Sequence, residues 1–173
     1  TWEGPQGNLK KARQYFETAL TVLAAENAPQ SWARAQHEFG SLWELWPEGR
    51  RADNLSQAIS CYERALTVRT RERLPDEWRD TSYNLALAYS QSFLGDRRVN
   101  LQTALDLFEQ LRRVQTREQQ PKAWAQLTCR LADLYLMRVE GGRQQNIEHA
   151  IQLYRESFEL QREHGWSLDQ GLT

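Results

Sequence analysis

The run PDEWRDTSYNLALAYSQSFLGDRRVNLQTALDLFEQLRRVQTREQQPKAWAQLTCRLADLY, residues 75–135, decides the fold, because it holds one complete copy of a unit that returns every 46 residues. Pro75 and Trp78 come back as Pro121 and Trp124, and both already stand earlier as Pro29 and Trp32. Asn54-Leu55 recurs as Asn100-Leu101, with Asn8-Leu9 before it and Asn146-Ile147 after. Phe16, Tyr62, Phe108 and Tyr154 keep the same spacing, as do Trp43, Tyr89 and Tyr135. So many columns held in phase along 173 residues define a repeat array. In such an array each unit buries its apolar face against its neighbours.

Outward from that run, every segment between turn signals carries a helical stripe. Leu9, Ala12, Phe16, Ala19, Leu20 and Leu23 share one face, and Leu101, Ala104, Leu105, Phe108 and Leu111 do the same two units later. The pattern predicts seven helices, at about 8–26, 29–46, 51–73, 75–94, 98–119, 121–139 and 144–163. Residues 1–7 read as a loop. The tail 164–173 reads as a degenerate start of another short helix, with Ser167 and Gln170 where Pro and Trp recur. Proline at 29, 75 and 121 suits the first turn, where an N–H is not needed. Gly49, Gly95 and Gly141 are placed at the left-handed residue that closes a helix. The asparagines at 8, 54, 100 and 146 are read as caps or loop bonds, and the tryptophans at 32, 78 and 124 as inter-repeat core. No strand pattern occurs. The fold class is all-α, a single array over residues 1–173.

Composition narrows the function classes. The apolar fraction is 40% and the charged fraction 26%, ordinary values for a globular chain. With a net charge of −1 there is no broad attraction for nucleic acid or an anionic membrane. Cys61 and Cys129 are isolated thiols, which points to a reducing compartment and a cytoplasmic location. No apolar run reaches the ~20 residues of a membrane span, and no signal peptide is visible. The chain starts at Thr1 and its single methionine is Met137, so it is read as a piece of a longer protein. No P-loop, nucleophile elbow or HExxH occurs, and His37, His149 and His164 have no metal-ligand spacing. His37 and Glu38 are adjacent on a helix and point about 100° apart, which is no acid–base pair. Neither catalysis nor a cofactor is expected.

The columns resemble the tetratricopeptide repeat (TPR), a pair of antiparallel helices A and B. The A-type pattern is matched by Phe39-Gly40 with Trp43, Leu85-Ala86 with Tyr89, and Leu131-Ala132 with Tyr135. The B-type pattern is matched by Ala12, Phe16 and Ala19 and by Ala58, Tyr62 and Ala65; Leu111 and Ser157 replace the last alanine elsewhere. Small residues allow close helix approach and aromatics fill the facing holes. The family's unit is about 34 residues, so the 46-residue period is read as longer helices that retain the packing columns. Long repeats of this kind resemble those of bacterial multidomain signalling proteins, where arrays often precede a caspase-like or nucleotide-binding domain. The resemblance implies a right-handed superhelical solenoid.

It also implies a concave groove lined by A-helix residues on the face away from helix B. Carried over by column, these are Arg34, His37, Ser41 and Glu44, then Asp80, Tyr83, Leu87 and Ser90, then Gln126, Cys129, Asp133 and Leu136 beside Met137. Chaperone-binding members clamp a peptide carboxylate with Lys, Asn, Asn, Lys and Arg. The matching positions are His37, Ser41, Asn84, Gln126 and Arg130, of which only Asn84 and Arg130 agree, so that mode is not expected. The implied function is a protein-interaction scaffold that holds a peptide or partner helix. The alternative is a regulatory segment of a larger enzyme acting by intramolecular contact. Self-association through the terminal helices is a third option.

Overall fold

A computed structural model describes residues 4–166, with side chains from Gly7 onward. Among these residues there are seven α-helices and no strand: α1 Gly4–Val22, α2 Pro29–Leu45, α3 Arg51–Leu66, α4 Pro75–Gln91, α5 Arg97–Val114, α6 Pro121–Met137 and α7 Arg143–Glu163. The chain forms two compact units, Thr1–Gly95 and Asp96–Thr173. In the first, α2 packs closely on α3, α1 rests on α2, and α4 lies against α3 and touches α2. In the second, α6 packs on α5 and, more closely, on α7.

Local chemistry sets these boundaries. Pro29, Pro75 and Pro121 stand in the first turn of α2, α4 and α6. The residues before them, Ala28, Leu74 and Gln120, have φ of −143°, −140° and −138°, outside the helical region that a following proline disfavours. No strand interrupts the apolar stripes, so helix packing alone builds each core. Tyr62 and Ala58 of α3 are fully buried, and so are Ala104, Leu111 and Ala150 in the second unit. At Gly40 an added Cβ would lie 2.7 Å from Tyr62 Cε1, so the absent side chain is what lets α2 seat against that ring. Phe16 of α1 stacks on Phe39 at 5.8 Å, joining α1 to the row Phe39, Trp43 and Trp46.

Several boundaries differ from the sequence reading. Residues 4–7 are helical, consistent with Pro5 in the first turn of α1. The helix expected at 51–73 stops at Leu66, and that expected at 98–119 stops at Val114. Threonines account for the shortening. The Thr67 hydroxyl donates to Arg64 O at 2.8 Å, and the Thr70 and Thr116 hydroxyls accept from Arg73 N and Gln119 N at 3.4 Å, in competition with the helical ladder. A one-turn link follows, closed by Leu74 N to Thr70 O and Gln120 N to Thr116 O, both at 2.9 Å. The extra length of the repeat therefore goes partly into these turns. The tail reading for residues 167–173 lies outside the described residues.

The glycines also sit differently. Gly49, Gly95 and Gly141 have φ of +79°, +74° and +80°, but each stands three residues past the helix C-cap (Trp46, Ser92, Arg138). They bend the inter-helix loop; they do not cap the helix. The left-handed cap occurs at Gly165 (φ +67°), where Gly165 N bonds Arg162 O at 3.2 Å and Trp166 N bonds Gln161 O at 3.0 Å. In the asparagine column, Asn54 and Asn146 have the loop role. Asn54 Nδ2 donates to Trp46 O at 3.0 Å and Glu48 O at 2.9 Å, and Asn146 Nδ2 donates to Arg138 O at 3.3 Å and Glu140 O at 2.9 Å. Trp32, Trp78 and Trp124, expected in the core, are half-buried, with the Arg112 guanidinium 5.7 Å from the Trp124 ring.

Candidate functional site

In the first unit Arg34 and Asp80 are exposed, whereas His37, Ser41, Glu44, Tyr83, Asn84, Leu87 and Ser90 are half-buried. His37 reaches across to α4, its Nδ1 3.0 Å from Thr81 Oγ1. That hydroxyl donates to Glu77 O at 2.7 Å and accepts from Arg69 Nη1 at 2.9 Å. Its one proton is used on Glu77, so His37 must donate from Nδ1 into the remaining lone pair. This puts a proton on Nδ1, as both the neutral Nδ1–H tautomer and the imidazolium have. Burial, and then the Arg69 charge, hold His37 below its ordinary value near 6.5, which favours the neutral ring.

Ser41 and Glu44 were expected to face away from the B helix, yet both meet Tyr62 of α3. Tyr62 Oη donates to Glu44 Oε2 at 2.8 Å and lies 3.2 Å from Ser41 Oγ. Burial raises the Glu44 carboxyl above the usual carboxylate range, although the Tyr62 bond and Arg51 act the other way. Burial likewise lifts the Tyr62 phenol well above its ordinary value. Ser90 folds back to donate to Leu87 O at 2.7 Å.

In the second unit Gln126, Cys129, Arg130 and Asp133 are half-buried, and Leu136 and Met137 are exposed. Cys129 and Asp133 also turn toward the following helix. Cys129 Sγ donates to Ser157 Oγ at 3.1 Å, and the Tyr154 hydroxyl donates to Asp133 Oδ1. Arg130 pairs with Asp133 at 3.8 Å, and Arg97 Nη2 lies 3.8 Å from Met137 Sδ. Ser41 with Tyr62 and Asp133 with Tyr154 have the same sequence separation of 21 residues, so one hydrogen-bonded pairing recurs two repeats apart.

Sequence reasoning missed Arg69, Thr81 and the Tyr62 hydroxyl. The signal was present. Arg69 stands in a column with Leu23 and Gln115, and Thr81 in one with Ala35 and Leu127. A hydroxyl entering the otherwise apolar column at Thr81 implies a polar group facing it, and Arg69 is such a group. Tyr62 in a column shared with Phe16 and Phe108 implies a partner for its hydroxyl. Among the described residues no group of His, Cys, Asp and Glu could hold a metal, and no helix is long and apolar enough to cross a membrane. No protein-family model matches the chain, and no curated protein matches it.

Proposed function

We propose that the chain is a tetratricopeptide-type helical array, wound as a right-handed superhelical solenoid, whose A-helix faces bind a peptide or helix of a protein partner without chemistry of their own. One observation carries this reading: at a 46-residue spacing the packing residues repeat while the A-helix surface column does not. Ala58, Ala104 and Ala150 are all fully buried, whereas Arg34, Asp80 and Gln126 occupy one column with three different chemistries. Constant packing beneath a changing surface is how a repeat scaffold reads an irregular partner. The resemblance in residue columns and the α2–α3 and α6–α7 hairpins support the family assignment.

The test is capture from source lysate on the immobilised chain, repeated with Asp80→Arg and Leu136→Glu, two exposed positions on α4 and α6. A captured protein lost in either variant supports the scaffold. Capture unaffected by both moves binding off these faces. No capture at all favours a segment that acts only within its parent chain.

A further inference from the structure

Arg69 is a buried cation, 7% exposed, in the turn between α3 and α4. A guanidinium brings five N–H donors and a charge that is costly to bury unpaired. Among the described residues the Arg69 guanidinium donates once, from Nη1 to Thr81 Oγ1, and forms no ion pair. Glu77, Glu38 and Asp80 act on it only at longer range, and its desolvation outweighs them. Its side chain lines a pocket of about 410 Å³ together with Gln30, Ser31 and Arg34 of α2, Leu74, and Glu77 of α4. The Gln30, Ser31 and Arg34 side chains form no hydrogen bond or ion pair among the described residues. The pocket thus gathers donors that the chain itself leaves without acceptors.

We propose that this pocket is a subsite for a carboxylate carried by the bound partner, held between the Arg34 and Arg69 guanidinium groups. The planar fork of a guanidinium matches the two oxygens of a carboxylate, and a charge-assisted pair there would supply what the buried cation lacks. Glu77 shares the lining, and Glu38 and Asp80 act on Arg69 from farther off, so the field there suits a monoanion better than a dianionic phosphate. The residues differ from the five clamp positions considered above, and all lie within the first unit. Only the source of the carboxylate rests on the scaffold reading.

Arginine Nε–Hε NMR signals of the full chain, followed as sodium acetate is added against sodium chloride at matched ionic strength, test the pocket directly. Acetate should shift Arg69 and Arg34 saturably and chloride should not. Arg34→Ala and Arg69→Gln should each weaken acetate binding about tenfold or more. Equal responses to the two salts, unchanged acetate binding in Arg34→Ala, or tighter binding of inorganic phosphate than of acetate overturns the proposal. Arg34 is exposed and unbonded, so its variant decides the matter even where Arg69→Gln fails to fold. N-acetylglutamate α-amide and N-acetylglycine then separate a side-chain carboxylate from a terminal one by which saturates first. A failed titration removes the subsite and leaves the capture experiment standing.

Discussion

The Asn54 amide, 5% exposed, spans the loop between α2 and α3 by donating to the carbonyls of Trp46 and Glu48. Removing it strands the Trp46 carbonyl, whose bond to Asn54 is buried, and frees the part-buried Glu48 carbonyl. Asn54→Ala should therefore cost about 1–3 kcal/mol in urea denaturation, while Asn8→Ala, in the same column but exposed, should stay within about 0.5 kcal/mol. Equal losses would refute the loop role. Gly40→Ala makes a steric counterpart, because its Cβ would fall 2.7 Å from a ring atom of Tyr62, which is fully buried and cannot swing away. A cost of about 1–3 kcal/mol is expected. The titrations have signs as well. His37 is held below its ordinary value, so its neutral form stabilises the fold above about pH 6.5, and that contribution is lost as pH falls through the lowered value. Glu44 is raised, so its contribution is present below its ordinary value and is lost as pH rises through the raised one. Glu44→Gln should thus be more stable than the parent at neutral pH, with the gap closing in acid, and a gap independent of pH would contradict the assignment.

Adjacent glycines at the end of one loop separate backbone need from mere presence. Gly141 has φ +80°, where an L side chain is strained, whereas Gly142 has φ −68° and its added Cβ would meet only the flexible end of Gln145, at 3.4 Å. Gly141→Ala should cost about 1–2 kcal/mol, and Gly142→Ala should be near neutral or slightly stabilising by thermal melting. The elements themselves were legible because proline, glycine and aromatic columns repeat in register and each has a local cause. Helix ends after α3 and α5 were not, since Thr67, Thr70 and Thr116 divert backbone groups in a way that apolar periodicity does not record. The candidate site was half legible. Column position located Arg34, His37 and Asp80 on helix α2 or α4, but which way a half-buried polar side chain turns depends on its partner across the helix pair. Ser41, Glu44, Cys129 and Asp133 turn toward α3 or α7 because Tyr62, Ser157 and Tyr154 offer hydroxyl groups there.

At the scale of the chain, the question is how far a local loss of stability travels. A single cooperative core would spread it everywhere, since every buried group would share one unfolding transition. A repeat array behaves as a sum of unit stabilities and nearest-neighbour contacts, so damage stays close to where it is made. The core residues fall into two sets. Ala58, Tyr62 and Ala65 pack with α2 in the first unit, and Leu127, Leu131, Leu134 and Leu160 are buried in the second. Gly40→Ala places its clash wholly within the α2–α3 pair. Native-state hydrogen exchange on that variant should show the slowest amides of α2 and α3 losing about tenfold or more in protection, the equivalent of a 1.4 kcal/mol loss. Amides of α6 and α7 should keep the protection they have in the parent. If all four helices lost protection equally, the chain would unfold as one cooperative body and the nearest-neighbour account of its stability would fail.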